Sequence, residues 1–469
     1  MPIIHHSTIQ QQFNKALEKA SLDKRAVLFS YTEELSSFAA PLDLFSASYS
    51  EFYGERYFWK EPNDEVILIG LGSIYSLRVN QQTENRFQYI DREWEKLLAS
   101  AYIFNPFDIS GTGPLLMGGF SFDSETERDQ NWTSFGNAAF HLPQIMISSI
   151  KGQTFLTINI MATRNDDEGT LELLQEKVQK LFGSTDQNKE ISNIVNQEEL
   201  NAHEWKESVA LAVNAIQEGE LDKVVLSRRM RLDFDKTILP EQVLSRLWME
   251  QHQSYLFALE ELNHCFTGAS PERLILKEND QILSTCLAGS IKRTGNAADD
   301  GLLGLELLND RKNRDEHQFV VKMISDVLDP FCIEMSIPDT PEVMKMRDIQ
   351  HLYTPVRGKV NNTGTTLLKL VEALHPTPAL GGIPREKAME LIREVENSDR
   401  GFYGAPVGWF DYRGNGEFCV AIRSGLLKEN EAILYSGCGI VADSNPEDEY
   451  IETGIKFKPM LRALGGKNL

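Results

Sequence analysis

The last quarter of the chain, from Arg400 to Lys456, gathers residue types suited to handling a small organic anion. Three strand-like runs joined by glycine-rich turns carry Arg423, read as a strand arginine, and then Gly437-Cys438-Gly439, read as a turn rich in free backbone groups. A helix follows with Glu449, Glu452 and Lys456. At ~3.6 residues per turn those positions share one face. An arginine, exposed backbone N–H groups and a carboxylate helix together suit a metal-bound organic anion. The bland alternative for the helix is an ordinary Glu452–Lys456 pair at i,i+4, worth roughly 0.2–0.5 kcal/mol.

Earlier segments add groups that could complete a site. In Lys223-Val-Val-Leu-Ser-Arg-Arg-Met-Arg231, strand alternation sends Val224, Leu226 and Met230 one way. Lys223, Ser227, Arg229 and Arg231 then point the other way. That face could simply be solvated. It could also hold Lys223 where the ammonium loses its proton and serves as a base. Ser270-Pro271-Glu272 interrupts two strand-like runs, so Glu272 is either a solvated turn residue or a placed acid. In Leu283–Arg293, the small residues Ala288, Gly289 and Ser290 either make a tight turn or let a ligand approach backbone N–H groups. Helical spacing over Asp315–Leu328 predicts that Phe319, Val320, Met323, Ile324 and Val327 are buried, with Glu316 at the edge of that face. His317 lacks the spacing of a zinc motif and reads as structural. Glutamates from separate helices, without a His or Cys cluster, suit a hard cation such as Mg²⁺, which prefers oxygen ligands and keeps several waters.

Stepping outward, composition narrows the functions available. The 469 residues include 47 basic and 69 acidic side chains, a net charge of −22. Such a surface repels nucleic acid and anionic membranes, so neither partner is expected. An anionic small molecule needs a locally reversed field, placing function where Lys and Arg interrupt apolar sequence. No apolar run approaches ~18 residues, so no membrane span is expected. The N-terminus MPIIHHSTIQQQFNKAL lacks the basic and apolar regions of a secretory signal. Five cysteines without a CxxC pair suggest reduced thiols and a cytoplasmic location.

The elements that position these groups follow from periodicity. Helices are predicted over residues 1–20, Gln88–Tyr102, Glu172–Phe182 and Ala202–Glu218, the last with Trp205, Val209, Ala212 and Ile216 along one stripe and Gly219 as its cap. Strands are predicted at Ala26–Thr32, Tyr57–Lys60, Val66–Gly72, Leu115–Phe122, Leu142–Ser149 and Thr154–Met161. Ser184–Asn196 is polar and reads as a linker, dividing an N-terminal α+β half (1–196) from a C-terminal catalytic half (197–469). Asn445 and Pro446 read as N-cap and first position of the final helix. The element order favours α+β.

The blocks Lys223-Val-Val-Leu-Ser-Arg, Ser270-Pro271-Glu272, Leu287-Ala288-Gly289-Ser290, Asp315-Glu316-His317, His351-Leu352, His375-Pro-Thr-Pro-Ala-Leu-Gly381-Gly382, Gly404-Ala405-Pro406-Val407-Gly408, Ala421-Ile422-Arg423 and Glu449-x-x-Glu452-Thr453-x-x-Lys456 occur in a familiar order. From Ala202 to Leu464 the chain resembles the chorismate-utilising enzymes, and among them isochorismate synthases of the menaquinone-pathway type. The resemblance implies layered antiparallel sheets flanked by helices, with two interleaved halves around a deep central site. It implies that Lys223 is the base activating water, that Glu272 is the acid protonating the departing hydroxyl, and that Glu316 and Glu452 hold Mg²⁺ with Glu449 as a metal-shell partner. Arg423, Lys456 and the backbone around Gly437 and Gly289 would bind carboxylates, while Ser290, His351 and Tyr403 line the pocket. Catalysis then needs Lys223 neutral and Glu272 protonated, both the reverse of their forms in water at pH 7.

Within the family, Ala288 stands where aminodeoxychorismate-forming relatives carry a nucleophilic lysine, and Lys223 stands where anthranilate-forming relatives carry a neutral residue. Ser290 departs from a more usual threonine and keeps the hydroxyl. Salicylate synthases share the lysine, the acid and the metal glutamates, so they stay as an alternative, beside anthranilate synthase component I and, in another class, a non-catalytic anion-binding relative. A monomer or weak homodimer acting on chorismate is expected.

Overall fold

A computed structural model describes residues 6–36, 40–80, 85–183, 191–361 and 364–466. Its strands form two antiparallel sheets that diverge from one long strand, Ala138–Ile150. One sheet runs from that strand through Val66–Val79, Arg56–Lys60, Tyr255–Glu261, His264–Ser270, Ser424–Lys428 and Glu431–Ile440 to Lys223–Phe234. The other runs through Leu115–Phe120, Pro406–Asp411, Gly416–Val420 and Arg273–Glu278 to Gln281–Lys292 and Ile349–Val360. Val27–Glu34 with Tyr102–Phe104 is a parallel pair at the far edge. The expected α+β architecture is what the chain adopts.

Strand pairing joins the two ends of the chain across the midpoint of the sequence. Tyr57 lies opposite Leu259, and Gly119 lies opposite Val407. An aromatic cluster that includes Tyr57, Trp59, Trp132, Phe257, Phe266, Phe402 and Trp409 fills the space between the sheets. Helices cover the outer faces. Ala202–Gln217 buries Trp205, Val209, Ala212 and Ile216, as its spacing predicts, and stops before Gly219 at φ +82°. Among the described residues no helix is long and apolar enough to cross a membrane.

Four expectations change. Residues 184–190 of the expected linker lie outside the described residues, and its end enters a strand, Ile194–Leu200, which pairs with Lys223–Phe234. The helix predicted over Gln88–Tyr102 spans Arg86–Ala99, because Tyr102 is drawn into the parallel strand pair. The helix Arg311–Leu328 buries His317, Val320, Val321, Ile324 and Leu328, while Phe319 is 47% exposed. Its inward face is therefore rotated from the predicted one, because the helix packs on strands Gln281–Lys292 and Ile349–Val360. The C-terminal quarter holds four strands rather than three.

Candidate active site

The ends of the two sheets, the helix Arg311–Leu328 and the C-terminal helix Pro446–Ala463 enclose a cavity of about 720 Å³. Lys223, Glu272, Gly289, Ser290, Glu316, His351, Tyr403, Arg423, Gly437, Glu449, Glu452 and Lys456 all line it. Residues up to 233 positions apart in sequence thus line one space.

Lys223 opens its strand and is held from both sides. Ile383 pairs with it on one edge, and Ile440 pairs with Val224 on the other. Its Nζ lies 3.5 Å from Glu316 Oε1. Ser227, on the same face, is withdrawn from the cavity, since Glu396 accepts from its backbone N–H at 2.6 Å and its hydroxyl at 2.9 Å. Arg400 clamps that carboxylate and also donates to Val225 O at 2.6 Å. Nothing in the local pattern around Arg400 announced this support, although Glu396 and Arg400 stand at helical i,i+4 spacing.

Glu272 sits between strands His264–Ser270 and Arg273–Glu278, where the sequence placed a turn. It is no freely solvated turn residue. Ser270 Oγ ties the turn down by donating to Val420 O at 2.5 Å and accepting from Glu272 N–H at 3.2 Å. Desolvation pushes the Glu272 carboxyl up from 4.5 to about 7, against the opposing pull of Arg423 and Lys223.

Arg423 is not in a strand. It joins Gly416–Val420 to Ser424–Lys428 in the left-handed region at φ +52°, a costly conformation for a residue that carries a Cβ. Alternation had suggested a strand, but the chain must turn here to place the guanidinium beside Tyr403 and Glu452. Burial pulls its pKa down, and Tyr403, Glu452, Asp348 and Glu272 oppose that. Tyr403 stacks on Tyr435 with ring centres 5.3 Å apart, and burial raises its phenol. Tyr435, missed in the sequence, accepts from Trp132 Nε1 at 2.9 Å and so links the cavity to the aromatic core.

Gly437-Cys438-Gly439 is likewise strand, within Glu431–Ile440, and not a turn. Gly437 opposes Ser227 and Gly439 opposes Val225, so both glycines face the cavity while Cys438 enters the core. Lys456 Nζ donates to Gly437 O at 2.9 Å and pairs with Glu452 Oε1 at 2.6 Å. On the facing sheet, Gly289 forms a bulge at φ +74° between Ala288 and Ser290. A Cβ there would lie 3.1 Å from Asn313 Oδ1 on the adjoining helix. His317 is buried and structural, as expected: Nδ1 bonds Ala288 O at 3.0 Å and Nε2 bonds Thr354 Oγ1 at 2.7 Å, which holds the bulge. His351 lies opposite Ser290, and burial with the nearby charges of Arg423 and Lys456 lowers its pKa to about 4. Its imidazole is neutral at pH 7.

Glu316 and Glu452 reach the cavity from different helices, each half exposed and each facing an ammonium. Glu449 accepts from Ser444 Oγ at 2.7 Å, beside the Asn445 cap and Pro446, which begin the helix as predicted. No group of three or more His, Cys, Asp or Glu side chains among the described residues is drawn tightly enough to hold a metal ion. The donor chemistry still fits a hard divalent ion. The three glutamates offer carboxylate oxygens toward one cavity, and Mg²⁺ needs only one or two of them beside water and substrate oxygens.

Comparison with known proteins agrees with this geometry. The profile of the family described as "Chorismate binding enzyme" matches residues 15–465. The chain is 42% identical to isochorismate synthase MenF of Bacillus subtilis (strain 168), over 98% of this chain and 99% of that protein. It is 35% identical to the salicylate biosynthesis isochorismate synthase of Pseudomonas aeruginosa, over 97% of this chain and 94% of that one. In fold it matches the solved structure of MenF, the menaquinone-specific isochorismate synthase from Escherichia coli, with a TM-score of 0.78 and 22% identity, covering 97% of this chain and 99% of that one.

Proposed function

The chain belongs to the chorismate-binding enzymes, and on that premise we propose that it is an isochorismate synthase, an isomerase that interconverts chorismate and isochorismate with Mg²⁺ and feeds menaquinone synthesis. The observation that carries this reading is the convergence of Lys223 and a proton-retaining Glu272 on one cavity with carboxylates from two separate helices.

In the forward direction water adds at C2 of the ring while the C4 hydroxyl leaves, and the double bonds shift between them. Lys223 takes the proton from the attacking water, which requires its neutral amine. Glu272 gives a proton to the departing oxygen, so a poor leaving group departs as water and the overall composition of the substrate is unchanged. General acid and general base each contribute roughly 10²–10⁴-fold. A carboxyl pushed up to about 7 carries a usable proton near neutral pH, where an ordinary glutamate would not.

Arg423 and Lys456 bind the substrate carboxylates, with the backbone at Gly289 and Gly437 and the Ser290 hydroxyl as further contacts. Neutral His351 and Tyr403 wall the ring, supported by the Tyr403–Tyr435 stack. Glu316 and Glu452 would hold Mg²⁺, with Glu449 at its shell. The ion supplies positive charge that neutralises a substrate carboxylate. We read residues 1–196 and 197–469 as halves of one structural unit, supported by the strand pairs that cross between them. A monomer or weak homodimer in a cytoplasmic setting is part of this reading, and the five unpaired thiols support that setting.

Purified protein given chorismate and Mg²⁺ should form isochorismate to equilibrium, resolved by liquid chromatography. Stoichiometric pyruvate with fluorescent salicylate would assign it instead to the salicylate synthases, and binding without conversion would make it a non-catalytic relative.

A further inference from the structure

We propose that Gly439 is a positioning residue for the Lys223 amine, its missing side chain leaving the groove in which the lysine stem lies. This deepens the reading above and rests on the base role given there to Lys223.

Directly opposed residues of an antiparallel pair project to the same side, as do residues two apart along a strand. Gly439 lies opposite Val225, so any side chain at 439 would project toward Lys223, its diagonal neighbour. A Cβ at this position would lie 2.7 Å from Lys223 Cε, 3.3 Å from Nζ and 3.9 Å from Cδ. Those are its three nearest heavy atoms, so the clash falls on the flexible end of one side chain and on no backbone atom.

No positive φ demands glycine here. Glycine weakens the interior of a strand, where a β-branched residue would pair better. Gly437, two residues earlier, differs: a Cβ there would come within 2.9 Å of Leu226 O, a backbone atom that cannot swing away. Position 437 thus protects the sheet, whereas position 439 protects the place of one amine.

An added methyl would force the lysine stem back by roughly 1 Å to reach an ordinary carbon–carbon separation. A displacement of that size at a reacting group can cost roughly a hundredfold in rate. Substrate carboxylates, held by Arg423 and Lys456, would still bind.

The test is steady-state kinetics and thermal melting of Gly439→Ala beside wild type and Lys223→Ala, with chorismate and Mg²⁺. The expected result is a melting temperature within about 2 °C of wild type, kcat lowered roughly 10–100-fold and KM changed less than about threefold. Wild-type kcat in Gly439→Ala, a rise in KM alone, or loss of cooperative melting overturns the proposal; the last would show that the methyl strikes the scaffold. If Lys223→Ala turns over like wild type, the base assignment itself falls and takes this inference with it. An inactive Lys223→Ala beside a normal Gly439→Ala removes the positioning role alone.

Discussion

Replacing Glu272 with glutamine should abolish turnover while making the protein more stable in mild alkali. In the folded chain the carboxyl titrates at about 7 in place of 4.5, because the cavity wall strips its water and Arg423 and Lys223 only partly compensate. At 1.36 kcal/mol per pKa unit that displacement corresponds to roughly 3 kcal/mol. The carboxyl opens onto a wet cavity, so solvent screening trims the effect to roughly 1–3 kcal/mol. The folded protein holds this proton more tightly than the unfolded chain does. Stability contributed by Glu272 therefore falls as pH rises from 4.5 to 7 and stays low above it. Glutamine does not titrate, so Glu272→Gln should gain over wild type at pH 8 and show no gain near pH 4.5. For a chain of 469 residues, with roughly 2.1 cal/mol/K of unfolding entropy per residue, the gain at pH 8 is about 1–3 °C in melting temperature. Parallel scans of both proteins at the two pH values, at one scan rate, read this directly. A variant no more stable than wild type at pH 8, or one retaining turnover within tenfold of wild type, would refute the argument that burial primes this acid.

Three further outcomes follow from the same geometry. Lys223→Ala should lose roughly 10²–10⁴-fold in kcat with its melting curve intact, since the side chain makes no contact that the sheet depends on. Chelation by EDTA should stop turnover reversibly, and Glu316→Gln or Glu452→Gln should raise the Mg²⁺ concentration for half activity roughly tenfold or more, read by titrating the metal at saturating chorismate. His351, lowered to about 4, works in the opposite sense to Glu272: wild type should lose stability as pH falls from 6.5 to 4, and His351→Gln should flatten that limb of the melting profile.

How much of this was legible beforehand differs residue by residue. The face shared by Glu449, Glu452 and Lys456, the Asn445–Pro446 start of their helix, the stripe on Ala202–Gln217 and the structural nature of His317 were all readable from the chain. Each depends on neighbours one to four residues away, and backbone geometry dictates those relations wherever the segment sits. Arg423 and Gly437–Gly439 were misassigned as strand and turn because glycine and arginine can serve either, and the deciding clash or contact comes from another strand. The rotated face of Arg311–Leu328 has a similar origin, since its apolar residues spread over roughly 200° of the helix circumference and the sheets beneath select which part of that arc is buried.

The amino-acid order alone settled which side chains exist to do chemistry and which local elements carry them. Tertiary structure alone decided that Glu272 keeps a proton, that His351 is neutral and that Lys223 faces Glu316 across 3.5 Å. Desolvation and charge pairing act through space, between groups such as Glu272 and Arg423 that stand 151 residues apart along the chain. No local pattern encodes such a distance; it appears only when two sheets and two helices close around the same volume.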